Sequence, residues 1–220
     1  MKKSRTKKLQ EPRGLDNVEQ SLIIDDHVEN EERFQGGVVA DCTIANQQAK
    51  HLSFKQVIFR NVHFLNVTWE HLEMTDVLFE KCDLSNTSFP YAILERTKFV
   101  GCKMMGAELL EGSLRDVQMI NCNAQLSSFG MSIFKYVNFR DSVLRSADFY
   151  GSTFSNVEFG SSNIDEAVFA GVKLKAIDLS ECTFERLVVS AEDLEGCVVS
   201  PEQAIAFAKI FGLIIKGSEV

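Results

Sequence analysis

Proline, tryptophan and tyrosine are scarce in this chain, at three, one and three among 220 residues, beside seventeen phenylalanines. So little proline excludes a proline-rich or collagen-like chain. No run of eighteen apolar residues occurs, so no membrane-spanning helix is expected. No apolar segment follows the basic start (Lys2, Lys3, Arg5, Lys7, Lys8), so no secretory signal is expected either, and the expected location is the cytoplasm. Positive charge is in deficit, with 23 Lys and Arg against 31 Asp and Glu for a net charge of −8. That balance excludes general electrostatic binding to a nucleic-acid backbone. Six cysteines are too few for a disulfide-held scaffold, and the length suits one domain with a sizeable core.

What is present is a strict repeat. Every fifth residue from Phe34 to Val199 is apolar, thirty-four positions without exception, and fifteen of the seventeen phenylalanines fall in this phase. Phe207 and Phe211 lie beyond it. A second column two residues earlier holds small or β-branched side chains, such as Val57, Val62, Cys82, Thr87, Ala92, Ala107, Val117, Ser127 and Ser132. All six cysteines sit there. Of the twenty-one Asp and Glu between 34 and 199, only Glu192 occupies an inward phase.

Two inward positions and three outward ones in every five fit neither the helix period of about 3.6 nor the strand period of about 2. A chain that turns a corner every five residues keeps both columns inside, so four fives close one square coil of twenty. Coils stacked at about 4.8 Å make residues 34–199 an all-β solenoid of about eight coils and about 40 Å. The period of twenty puts Phe59, Phe79, Phe99, Met119, Phe139, Phe159 and Leu179 on one wall of the core and Phe89, Leu109, Phe129, Phe149 and Phe169 on another. Cys42, Cys82, Cys102, Cys122 and Cys182 share one inward column, where they read as small buried hydrophobes.

Cys82-Asp83-Leu84-Ser85-Asn86, Ala107-Glu108-Leu109-Leu110-Glu111, Ala147-Asp148-Phe149-Tyr150-Gly151 and Ser162-Asn163-Ile164-Asp165-Glu166 resemble the pentapeptide repeat: a small residue, Asp or Asn, Leu or Phe, then two polar residues. The resemblance covers about three quarters of the chain and implies a right-handed quadrilateral β-helix. Thr183-Phe184-Glu185-Arg186-Leu187, the run from Val198 to Ala208, and Gly212-Leu213-Ile214-Ile215 resemble the end of Qnr-type and mycobacterial fluoroquinolone-resistance proteins, chromosomal Gram-positive ones in particular. That narrower resemblance implies a homodimer joined at the C-termini, forming an acidic rod that imitates duplex DNA. Such a rod binds DNA gyrase, and sometimes topoisomerase IV, and protects the enzyme from quinolones. The unbroken period leaves no room for the projecting loops of plasmid-borne relatives.

Three segments are expected. Residues 1–33 form a mobile tail leading into an N-terminal cap, 34–199 the β-helix, and 200–220 a segment that caps the last coil and dimerises. Ser200 fits a helix N-cap with Pro201 at N1 and Gln203 at N3, and Gly212 suits a stop. Phe207, Ile210, Phe211, Leu213, Ile214 and Ile215 are the candidate dimer seam, with capping alone the competing reading.

Residues 34–199 carry a net charge of −7, about one charge per 6 Å of rod, whereas duplex DNA carries about one per 1.7 Å. Any mimicry is therefore diluted. The most negative side holds Glu70, Glu108, Glu111 and Asp148; Glu73, Asp76, Glu95 and Asp116 share another with Arg96, Arg115 and Lys135. These eight carboxylates are the candidate partner-binding residues. His51, His63 and His71 are outward, and no cysteine outside the core joins them in a metal-ligand spacing. No phosphate-cradling glycine loop or nucleophile elbow occurs, so neither catalysis nor a cofactor is expected. An adaptor solenoid with an unrelated protein partner needs the same core and stands as the alternative to a topoisomerase ligand; DNA binding through the basic start ranks third.

Overall fold

The computed structural model describes residues 8–16, 18–24 and 27–216. Its strands are β1 (Arg33–Gln35), β2 (Val38–Ala40), β3 (Thr43–Lys50), β4 (Ser53–Lys55), β5 (Ile58–Arg60), β6 (His63–Glu70), β7 (Glu73–Glu80), β8 (Ile93–Val100), β9 (Ser113–Ile120), β10 (Ile133–Arg140) and β11 (Thr153–Glu158). Every strand pairing is parallel and joins residues twenty apart, as in Phe59 with Phe79, Met74 with Leu94 and Phe139 with Met119. The protein is thus a quadrilateral β-helix of pentapeptide repeats with a short C-terminal helix, as the period requires.

The four sides are not alike. β7 to β11 build two adjoining sides as continuous ladder. From Asp83 onward the other two sides carry single bridges, Asp83 with Lys103 and Ser88 with Glu108. Their corners are closed by tight turns, for example Ala107 N–H to Met104 O at 3.0 Å and Ala147 N–H to Leu144 O at 3.0 Å. The residue two places after the central apolar one takes a left-handed backbone at most corners, and non-glycine residues such as Asn61, Asp76, Asn86, Arg96, Asp116 and Tyr136 adopt φ of +48 to +58° there. Asn, Asp and His are frequent at this position because they tolerate that conformation better than other side chains.

The interior is a set of ring ladders. Phe59, Phe79 and Phe99 stack at centroid distances of 4.7 Å, and Phe129, Phe149 and Phe169 at 5.1 and 5.2 Å. These six rings, with Phe89, Phe139 and Phe159, are buried. Parallel stacking at these distances repeats the coil spacing itself, so rings and backbone ladder reinforce one another.

The small column has a polar logic that period alone does not reveal. Its serine hydroxyls donate to the main-chain carbonyl 23 residues earlier, as Ser132 Oγ does to Leu109 O at 2.9 Å and Ser152 Oγ to Phe129 O at 2.9 Å. Ser142 Oγ lies 3.1 Å from Met119 O and accepts from Cys122 N–H at 3.1 Å. Substituting Ser142→Ala should cost about 1.5 kcal/mol, because the Cys122 amide is buried without that acceptor. Alanine already occupies the matching positions Ala107 and Ala147, so steric disturbance is not the cause. Urea titration should show a lower midpoint at an unchanged slope; an unchanged midpoint would refute the hydroxyl's role.

Two expectations need correction. Cys42, in an inward phase, is exposed because no complete coil lies beneath the first one, while Cys82, Cys102, Cys122 and Cys182 are buried. Glu192 also leaves its inward phase. A short 3-10 turn at Ala191–Asp193 exposes Glu192 and buries Asp193, whose carboxylate accepts from Gly171 N–H at 3.0 Å and meets Lys173 Nζ at 3.0 Å. Hydrogen bonds from Ser190 and then Lys173 hold the Asp193 carboxyl below its ordinary pKa.

The N-terminus makes contacts that the repeat does not foresee. The described residues before 34 run back along the rod. Gln10 N–H donates to Asp116 Oδ1 at 3.0 Å, Arg13 N–H to Asp76 Oδ1 at 3.0 Å, and Leu22 N–H to Val38 O at 2.9 Å. Val28 is buried over the first coil, its N–H held by Gln47 Oε1 at 3.0 Å. Of the basic start only Lys8 is described; Lys2, Lys3, Arg5 and Lys7 lie outside the described residues.

At the other end α1 spans Pro201–Ile210, with the capping box formed by Ser200 and Gln203. Gln203 Nε2 donates to Leu179 O at 2.8 Å and Cys182 O at 2.9 Å, and the Phe207 ring meets Phe184 at 5.4 Å. The helix therefore covers the last coil. Gly212, at φ +78°, follows its end.

Candidate partner surface

Glu70, Glu108, Glu111 and Asp148 project from the side whose core residues are Trp69, Leu109 and Phe149. Glu108 and Asp148 occupy one column forty residues apart, hence two coils or about 10 Å. Glu70 is held by Lys50 Nζ at 2.6 Å, with His71 Nε2 at 3.5 Å. The Lys50 hydrogen bond keeps its carboxyl below the ordinary range. Glu108 accepts from Ser88 Oγ at 2.8 Å and Asp148 from Tyr150 N–H at 2.8 Å. The ion pairs among the described residues engage neither of these two nor Glu111. Glu108 and Glu111 are exposed and Asp148 is half-buried.

Sequence reasoning missed what lies between the carboxylates. Tyr91, Leu110, Met131 and Tyr150 are exposed along the same edge. Leu110 lies over Gly130 and Met131 over Gly151, where a β-carbon would meet their side chains. The Tyr91 ring continues a ladder with His71 at 4.9 Å and His51 at 4.7 Å. This side therefore offers carboxylates spaced by two coils within an apolar ridge. The signal was available, since these apolar residues occupy phases that elsewhere are polar.

The second group of carboxylates divides. Glu73 is exposed and Glu95 pairs with Arg96. Asp76 and Asp116 are buried, at 5% and 1% exposure, beneath the N-terminal segment. Asp76 is also gripped by Arg96 through Nε at 2.6 Å and Nη2 at 3.0 Å, and Asp76 and its neighbour Glu95 hold the guanidinium pKa above its ordinary value. Neither aspartate is available to a partner while the segment is in place, because a contact 63 or 106 residues distant in sequence covers it.

Beyond α1 the chain exposes Phe211, Leu213 and Ile214, the last at 99%, and Ile205 is exposed on the helix itself. Ile215 is half-buried and Phe207 is turned into the fold. Ile210 ends the helix, and its side chain lies outside the described residues. Among the described residues no cluster of three or more His, Cys, Asp or Glu is placed to hold a metal ion, and no helix is long and apolar enough to cross a membrane. The thiols donate into the core, Cys82 to Phe59 O at 3.4 Å and Cys122 to Phe99 O at 3.5 Å, and burial pushes the Cys182 thiol up to about 12. Cys182 is therefore a thiol rather than a thiolate at neutral pH.

Square coils, a strict five-residue period and buried ring ladders define a pentapeptide-repeat solenoid. The pentapeptide repeat region model matches residues 72–129 and 107–169. The chain is 36% identical over 207 residues to the uncharacterized protein YisX of Bacillus subtilis (strain 168), covering 94% of this chain and 97% of that one. The chain belongs to the pentapeptide-repeat family. Among solved structures it is similar to HetL, a pentapeptide repeat protein involved in heterocyst differentiation regulation from Nostoc, at 14% identity and a TM-score of 0.46 over 78% of this chain and 86% of that one. It is also similar to QnrB1, a plasmid-mediated fluoroquinolone resistance protein, at 17% identity and a TM-score of 0.40 over 89% and 97%. The likeness to the quinolone-resistance branch is thus distant.

Proposed function

We propose that the protein is a non-enzymatic cytoplasmic rod that occupies the DNA site of a type II topoisomerase, DNA gyrase first and topoisomerase IV second, modulating the enzyme and shielding it from fluoroquinolones. The observation that carries this reading is the set of Glu108, Glu111 and Asp148, carboxylates free of ion pairs among the described residues on an uninterrupted rod. Fixed carboxylates two coils apart can meet cationic groups arranged to receive a phosphate backbone. Residues 200–220 act as the dimerisation segment in this reading, with Ile205, Phe211, Leu213 and Ile214 supplying the seam.

The test is a gyrase supercoiling titration with and without a quinolone, after light scattering has established the dimer. The wild type should inhibit or protect in proportion to its concentration. Charge reversal of Glu108→Lys with Asp148→Lys should weaken that effect by about tenfold, the equivalent of about 1.4 kcal/mol, at unchanged melting temperature. A folded dimer without effect on gyrase would overturn the reading. A second reading, an adaptor for another protein, is favoured by the ridge of Tyr91, Leu110, Met131 and Tyr150 among those carboxylates. It gains if charge reversal leaves the effect intact while Leu110→Asp removes it.

A further inference from the structure

The N-terminal segment and the corner beneath it match in period. Gln10 and Arg13, three residues apart, direct their N–H groups to Asp116 and Asp76, forty residues or two coils apart. A polyproline-II chain advances about 9.3 Å in three residues, and two coils advance about 9.6 Å. Leu9, Pro12 and Leu15 recur at the same interval of three, and all three are half-buried against the rod. Leu9 rests by Tyr136 and Asn156, and Pro12 and Leu15 line a hollow with Leu78 and Val100. On the rod side, Gln56, Asp76, Arg96, Asp116, Tyr136 and Asn156 repeat every twenty residues with the same left-handed backbone, and within this series the Asp76 and Asp116 carboxylates, two coils apart, accept from the segment.

We propose that this corner is a docking site for an extended peptide, and that the chain's own residues 8–15 are its resident but exchangeable occupant. The bonds from the segment to Asp76 and Asp116 are main-chain N–H to carboxylate, which are short, strong and indifferent to the peptide's side chains. The occupant it fits in trans is a peptide of the same chemistry, extended, proline-containing and apolar at every third position. Attachment is shallow: no described residue from 8 to 24 is fully buried, whereas the coils beneath are. A segment with so few buried contacts opens at much lower free energy than the coils. Opening uncovers Asp76 and Asp116 and leaves Lys98 without Glu11, its partner at 3.0 Å. The inference is independent of which protein the other side of the rod binds.

Proline tests this cleanly, because it keeps the extended backbone while removing the N–H donor. Full-length Gln10→Pro with Arg13→Pro is compared with Gln10→Ala with Arg13→Ala, which retains both donors. A synthetic peptide with the sequence of residues 8–20 is titrated into each. The proline variant should bind it at least about tenfold more tightly, because its own segment no longer competes. Adding Asp116→Ala to the proline variant should remove most of that binding. Equal affinity in the two variants, or none in the proline variant, overturns the proposal. Amide exchange on the unmodified protein gives an independent reading. Gln10 and Arg13 should exchange at least about a hundredfold faster than Phe79 and Phe99; protection equal to theirs would make the segment a permanent part of the fold and also overturn the proposal.

Discussion

Replacing Phe149 with alanine is expected to destabilise the protein by about 4 kcal/mol, the upper part of the range for removing a buried aromatic ring. Phe149 is wholly buried, stacked on Phe129 at 5.1 Å and Phe169 at 5.2 Å. Its edge contacts reach Phe134, Phe139, Phe154 and Phe159 between 5.7 and 5.9 Å. Removing it breaks a ladder on both sides at once, and the neighbouring rings are fixed by their own coils, so the cavity cannot collapse. In a solenoid each coil is stabilised mainly through its two neighbours, so the loss weakens the two interfaces that join the halves of the rod. Urea unfolding should show a large fall in midpoint and a transition broadened toward two steps. Phe149→Leu should cost much less, about 1.5 kcal/mol, since it keeps most of the volume. A loss below about 1 kcal/mol for alanine would mean that the ring ladder is not what holds the coils in register.

The second large effect is expected at Arg96. Arg96 and Asp76 are 14% and 8% exposed in their side chains and joined by two hydrogen bonds. A pair this enclosed differs from a surface ion pair. Arg96→Ala leaves the Asp76 carboxylate in place without its cation and should cost about 3 kcal/mol. Asp76→Ala added to Arg96→Ala should restore part of that loss, because the stranded charge disappears with it; a double-mutant cycle measures the recovery. A cost under about 0.5 kcal/mol for the single variant would place the pair with ordinary surface bridges and contradict its burial.

These two residues also show how far the amino-acid sequence could be read. Phe149 lies in a column whose period of five admits no exception from Phe34 to Val199, so its burial and its stacking partners twenty residues away were legible from the spacing alone. Arg96, Asp76 and Asp116 were legible as outward-pointing, which is true of the coil taken by itself. The two aspartates are covered by the segment that holds Gln10 and Arg13, residues outside the repeat, and periodicity carries no information about a chain that returns across it. The recurrence of Leu9, Pro12 and Leu15 at intervals of three was the one available trace. Glu192 and Asp193 failed for a local reason, because a short 3-10 turn shifts which of two adjacent acids faces inward. Cys42 failed because the outer end of the first coil is covered only in part, by the segment that carries Val28, which leaves Cys42 exposed while Val39 and Ile44 of the same coil are buried.

The bonds between coils, such as Leu84 N–H to Lys103 O at 2.7 Å and Asp83 N–H to Val62 O at 2.9 Å, join residues about one coil apart and so run along the rod axis. Tension applied between the two ends would therefore load these bonds one coil at a time rather than all together. Each coil that peels away releases twenty residues, about 66 Å of extended chain, in exchange for about 4.8 Å of folded length. The rod would yield to pulling as a series of small, equal steps, with the ring ladders setting the force of each.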